Sequence, residues 1–279
     1  MYVNEGTMAC SWDKDIFTER GQFLAEDAFY NGTSLTMAPG ADIHRTPLSG
    51  RNHEYYSEDP NLSYLLGAVQ CKAMQDNGTV CQLKHFCGND TETNRSGCNE
   101  FMQEQTLREV CLRGFEGAMV IGGANSIMTG VNCLGVCKNP RNYNLLTGVL
   151  RDEWDWKGIV NTDAKDCTDT PALCVVSGVD EFCLTNDINR EISKASNNDD
   201  HLVDAMIKSN KRFYYTYISS NLMNGLSSST SVRNVSSWWK TAFIVIDSVA
   251  VALFACSIAV YAYLLISKKE ELKFGGKSK

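Results

Sequence analysis

The sequence predicts an α/β fold: an incomplete (β/α)8 TIM-type barrel followed by one C-terminal transmembrane helix. Three observations predict it. Short apolar runs alternate with helical stretches up to about residue 226, the pattern of a parallel sheet covered by helices. Five such runs can be read, too few for a closed eight-stranded barrel and enough for a large part of one. Beyond them, residues 242–266 are almost wholly apolar, with Asp247 as their one charge.

The elements follow in order. Residues 13–30 read as a helix, with Ile16, Phe17, Phe23, Leu24 and Phe29 at mixed spacings of 3 and 4. Residues 34–38 read as a strand that stops at Pro39-Gly40. Residues 62–77 read as a helix closed by Gly78, a residue suited to a C-cap. Strands are expected at 80–86, 126–131, 158–162 and 179–184. Between them, 104–119 is amphipathic, with Leu107, Val110, Cys111, Phe115 and Met119 on one face, and 143–154 is a further helix. A long helix is expected over 199–223.

The expected organisation is a barrel domain at 1–226, a Ser-rich linker at 227–240, a transmembrane helix at 241–267 and a basic tail at 268–279. Twenty-odd apolar residues rising about 1.5 Å each can cross a hydrocarbon core of about 30 Å. Trp238 and Trp239 mark one edge of the run, and Tyr261 and Tyr263 lie near the other. Lys268, Lys269, Lys273, Lys277 and Lys279 follow it, which places the C-terminus in the cytoplasm and the globular part outside the cell membrane. Membrane lipid is therefore an expected partner through 241–267. Residues 1–30 contain no apolar signal region, so either an export signal or a longer parent protein is expected.

Composition excludes other classes. The chain has 279 residues, is 43% hydrophobic and 21% charged, and carries 26 Lys+Arg against 33 Asp+Glu for a net charge of −7. This is globular and not disordered, and it provides no broad basic face for nucleic acid. The 12 cysteines raise disulfides at an outer surface, but spacing assigns no pairs. No Cys-x-x-Cys pair is present and the histidines lack ligand spacing, so neither a metal nor a cofactor is expected.

In parallel α/β folds, functional groups gather where strands end. After the first strand come Asp42, His44, Arg45 and the run from Gly50 to Pro60. After the second come Lys84-His85, then Asn89, Asp90, Glu92 and Arg95; Asn132 follows the third and Asp163 the fourth. Arg51, Lys84, His85 and Arg95 would be donors and Asp163 an acceptor around one mouth. Such a ring suits a hydroxyl-rich ligand such as a sugar and favours an ionised carboxylate. The competing structural reading pairs Arg51 with Glu54, Glu58 or Asp59 beneath a loop.

Several long runs then follow in a distinctive order: APGADIHRTPLSGRNHEYYSEDPNL, KHFCGNDTETNR, EQTLREVCLRGFEGAM, SIMTGVN, LLTGVLRDEW and GIVNTD. Over about residues 8–226 the chain resembles the barrel domain of glycoside hydrolase family 3, the β-glucosidases. The resemblance implies hydrolysis of terminal β-glucosidic bonds, or of related ones such as xylosides, with retention of configuration. It implies Asp163 as the nucleophile and Arg51, Lys84 and His85 as sugar-holding residues, with Arg95 supporting them. The two carboxyls of such a mechanism stand about 5–5.5 Å apart. The family's acid/base residue lies in a separate α/β sandwich domain, which is expected as a missing partner; the substrate is a β-linked glucoside or oligosaccharide.

The chain also departs from the family. Ala164 stands where an aromatic follows the nucleophile, and Val131 where Tyr or Phe is common. The family's first barrel strand, with a sugar-binding Asp, is not found. In a variant with reversed domain order the barrel comes second and is attached to the membrane, and the ending of this chain resembles that form; a gene fragment or truncated chain is the corresponding expectation. The alternative reading is a non-catalytic, decayed barrel that binds saccharide at the membrane.

Overall fold

The computed structural model describes residues 2–164, 166, 170–184, 188–197, 199–223 and 237–275. The chain divides into two units, Met1–Leu226 and Ser227–Lys279.

The first unit is built on a parallel sheet. Its strands are β1 (Leu35–Thr36), β2 (Val80–Phe86), β4 (Ser126–Thr129) and β7 (Ile159–Asn161), adjacent in that order. A second, small sheet joins β3 (Asn99–Glu100), β5 (Cys133–Leu134) and β6 (Cys137–Lys138). Helices connect the parallel strands: Lys14–Tyr30 before β1, Pro60–Asp76 before β2, residues 104–121 before β4 and Asn144–Glu153 before β7. Pro171–Ser177, Ile188–Ser196 and Asp200–Ile218 follow. This is the α/β barrel layout expected from the alternation of runs.

Local chemistry fixes the helix starts. The Asp13, Asp59 and Asp199 carboxylates each accept backbone N–H groups of the first turn, and Pro60 occupies a position where its missing N–H costs nothing. The 104–121 helix contains two wide turns, with Leu112 N–H bonding Leu107 C=O and Gly122 N–H bonding Gly117 C=O.

Strand alternation divides the sheet residues between two faces. Leu83, Ile127 and Val160 pair across β2, β4 and β7 and pack with Leu112, Phe115, Leu146 and Leu150 beneath the helices. Gln82 and Ser126 lie on the opposite face and share a hydrogen bond of 3.1 Å. The pairing slips between Leu83 and Phe86: Leu83 faces Ile127, yet Phe86 faces Thr129. Two residues, Lys84 and His85, thus occupy the space opposite Met128, as in a β-bulge.

Two expectations are corrected. Residues 179–184 are not a full strand; Glu181 alone bridges Asn161, supported by Thr162 N–H to Glu181 C=O at 3.0 Å. Asp180 explains this, because its side chain leaves the ladder to bond the β7 backbone and two arginines. The last helix ends at Ile218, not 223, where Ser219 and Ser220 hydroxyls take up the final carbonyls.

Cys71, Cys81 and Cys87 are free thiols buried as small apolar groups, and Cys174 is buried as well. Cys167 and residues 227–236 of the expected linker lie outside the described residues.

The second unit is one helix, Trp238–Gly275. Its Trp238–Lys268 stretch has a mean hydropathy of 2.5 and is long enough to cross a bilayer. The Ser248 and Ser257 hydroxyls bond the carbonyls of Ile244 and Leu253, so both are satisfied within the helix. The side chains of the basic tail from 269 onward lie outside the described residues.

Candidate active site

The site is assembled where β1, β2 and β7 end. Gly40, just past β1, bridges both Lys84 and Tyr55, and so draws the 51–55 segment against β2. A Cβ on Gly40 would lie 2.2 Å from the Glu54 carbonyl, so only glycine permits this approach. The segment delivers Arg51, Glu54 and Tyr55 to the strand ends, and the bulge on β2 turns Lys84 and His85 toward them.

Arg51 is 7% exposed and lies at the centre. Its Nη2 donates to Glu54 at 3.0 Å and to His85 Nε2 at 3.1 Å, and its Nη1 lies 3.1 Å from Glu92. Lys84 Nζ reaches the same Glu54 carboxylate at 3.1 Å, and Arg95 reaches Glu92 at 3.3 Å. The charges therefore run Arg95, Glu92, Arg51, Glu54, Lys84, alternating in sign. Burial opposes the Glu54 charge, but Arg51 and Lys84 outweigh it and hold the carboxyl below its ordinary range.

His85 is 3% exposed. Tyr55 donates its hydroxyl hydrogen to the Asn89 carbonyl at 3.0 Å, so its oxygen is left to accept from His85 Nδ1–H at 3.1 Å. With Nδ1 protonated, the Nε2 lone pair accepts from Arg51. This pattern assigns the neutral tautomer, and burial reinforced by Arg51, Lys84 and Arg95 pushes the imidazole well below its ordinary range.

Asp163 follows β7. Its Oδ2 lies 3.9 Å from His85 Nε2, and because His85 is neutral this contact is not an ion pair. Oδ1 accepts the Ala164 N–H at 2.6 Å, whereas Oδ2 is buried with no hydrogen-bond partner among the described residues. Below it, Thr162 is tied to Glu181 and Cys183 through its N–H and its hydroxyl. A carboxylate with one bonded and one unpartnered oxygen, beside a neutral imidazole that Arg51 holds, can attack an electrophilic carbon or accept a hydroxyl hydrogen.

The structure brings Arg51, Lys84, His85 and Asp163 together. Arg95 is 38% exposed at its side chain and joins the cluster through an ion pair with Glu92. The structural reading also proves partly right: Arg51 pairs with Glu54, while Asp59 caps a helix instead. Tyr55 and Glu92 stood among the strand-end residues, but the sequence assigned neither a role in the cluster. Neither carries a spacing signal, since their roles depend on the 51–55 segment lying across β2.

Comparison with known proteins reveals a match to the glycosyl hydrolase family 3 N terminal domain over residues 4–173. The chain belongs to this family. Beta-glucosidase B of Emericella nidulans is 40% identical over 156 residues, 56% of this chain and 18% of that protein. Thermostable beta-glucosidase B of Acetivibrio thermocellus is 39% identical, again over 56% of this chain and 21% of its own length. The chain thus spans about a fifth of the curated relatives that it matches. Among solved structures, beta-glucosidase 3B from Thermotoga neapolitana, in complex with glucose, aligns at a TM-score of 0.74 and 30% identity, covering 80% of this chain and 32% of that one. This family 3 barrel carries Ala164 beside Asp163 and a buried Val131 after β4.

Proposed function

We propose that the protein to which this barrel belongs hydrolyses terminal β-glucosidic bonds by a retaining double displacement. Asp163 Oδ2 attacks the anomeric carbon, forming a glycosyl ester and releasing the aglycone. Water then cleaves the ester with the first configuration restored. Arg51, Lys84 and His85 hold the sugar hydroxyls, and Arg95 steadies Arg51 through Glu92. The acid/base carboxyl comes from a sandwich domain. The helix around 241–267 anchors the protein in the cell membrane, with the barrel outside and the lysine-rich end in the cytoplasm.

One observation carries the reading: the unpartnered Asp163 Oδ2 beside the neutral His85, which the buried Arg51 holds. The glucose complex of the related Thermotoga neapolitana enzyme supports a glucoside as substrate. An activated 2-deoxy-2-fluoro-β-glucoside tests it. Incubated with the barrel and its sandwich domain together, it should leave a fluoroglucosyl adduct on the peptide containing Asp163, found by mass spectrometry. Absence of that adduct overturns the assignment.

A second reading is a barrel that binds saccharide without turnover. It is favoured by Glu54, which already occupies both Arg51 and Lys84. Glucose binding with no hydrolysis in the presence of the sandwich domain would select it.

A further inference from the structure

Asp42 lies just past β1 and is 2% exposed. Its Oδ1 accepts the Gly88 N–H at 2.8 Å and its Oδ2 accepts the His85 N–H at 3.2 Å. One carboxylate thus clasps both ends of the segment that turns Lys84 and His85 out of the sheet. We propose that Asp42 is a positioning residue for sugar binding, which holds the 84–88 backbone so that Lys84 and His85 meet the sugar. The inference rests on the saccharide reading of the site.

The surroundings support this role. Asp42 borders a cavity of about 280 Å³ lined also by Arg45, Gly88, Asp90, Phe101 and Cys111. The titratable groups that face it are Asp90, Arg51, Tyr55, Cys87 and Cys111, with Arg45 across the cavity. Arg45 is engaged by Asp90 and Glu100. Burial, with Asp90 adding to it, pushes the Asp42 carboxyl up to about 7. Near neutral pH the group therefore changes from an anion accepting two N–H bonds to an acid whose bonds are weaker. His85 does not titrate in this window, because its own shift is far downward. Glu5, also pushed to about 7, accepts the Gly40 N–H instead and is unchanged by a substitution at Asp42.

The test uses the full chain in detergent, wild type and Asp42→Asn. The first readout is the affinity for D-glucose from pH 5.5 to 8.5, by calorimetry. The second is hydrogen exchange of the peptide spanning residues 84–90, by mass spectrometry. The wild type should lose roughly five- to tenfold in affinity on passing below pH 7. Asp42→Asn should bind weakly at every pH, show no step, and exchange faster in the 84–90 peptide at pH 8. Wild-type affinity and an intact pH step in Asp42→Asn overturn the proposal. Faster exchange with unchanged glucose affinity also overturns it, leaving Asp42 a purely structural anchor. Failure of the wild type to bind glucose, with exchange still altered, overturns the saccharide reading and Asp42's part in it. Arg51→Ala serves as the control for that reading, since it removes a sugar contact without touching Asp42's hydrogen bonds.

Discussion

Arg51 Nη2 lies 3.1 Å from His85 Nε2 and occupies the lone pair with which that imidazole would otherwise take up a proton. Tyr55 fixes the opposite nitrogen, so the histidine stays neutral among cations. A neutral ring beside Asp163 leaves the carboxylate unpaired and available.

His85 should therefore make the fold sensitive to acid. Its folded-state value lies well below the ordinary 6.5, so below pH 6.5 the unfolded chain takes up a proton that the folded chain refuses. Stability contributed by this site is present above pH 6.5 and is lost as pH falls below it. The loss should be about 1.4 kcal/mol for each pH unit below 6.5, until the folded ring itself protonates. Denaturant unfolding at pH 7.5 and 5.5 should show a smaller acid loss in His85→Gln than in the wild type. Equal losses would refute the neutral assignment.

Asp163→Asn separates activity from stability. In the complete protein it should lower kcat by about 10³-fold or more and abolish fluoroglucosyl labelling. Its melting temperature should stay the same or rise, because Oδ2 has no bond to lose and a buried charge is removed. A variant that melts many degrees lower would mean that Asp163 is structural.

Asp180 should be a stability residue. Its side chain is wholly buried, accepts the Val160 N–H at 2.8 Å, and pairs with Arg151 at 3.2 Å and Arg212 at 2.6 Å. Asp180→Ala strands two arginines and should cost about 3–5 kcal/mol in denaturant unfolding. A loss under 1 kcal/mol would mean that water reaches the pair.

The apolar helix can be tested apart from the barrel. Val251→Arg places a charge in the middle of the run and should disfavour insertion by about 2.5–3.5 kcal/mol. Alkaline extraction of membranes should release more of this variant than of wild type. Equal retention of both would argue against a bilayer-spanning helix.

Much of the fold was legible because it rests on periodicity. The 80–86 strand and the helices over 13–30 and 143–154 follow from apolar spacing, and the start of the first helix is marked by its Asp13 cap. The two-residue strands β3, β5 and β6 were not legible, since a pair of residues has no period. The site was legible in part. Strand-end placement brought out Lys84, His85 and Asp163. Regular alternation, however, sends Lys84 and His85 to opposite faces, and only the register slip against Met128 brings both to one cluster. Asp42 stood among the strand-end residues, but its bonds go to backbone N–H groups that no side-chain pattern encodes.

The row Arg95, Glu92, Arg51, Glu54, Lys84 holds three positive and two negative charges, and Asp163 supplies a third negative one. The cluster is thus close to electrically neutral before any ligand arrives. On the proposed reading, an uncharged sugar would enter without disturbing that balance, and its affinity should depend little on ionic strength. On the proposed saccharide reading, a uronic acid or an amino sugar would bring a charge with no counterpart, and both should bind more weakly than glucose.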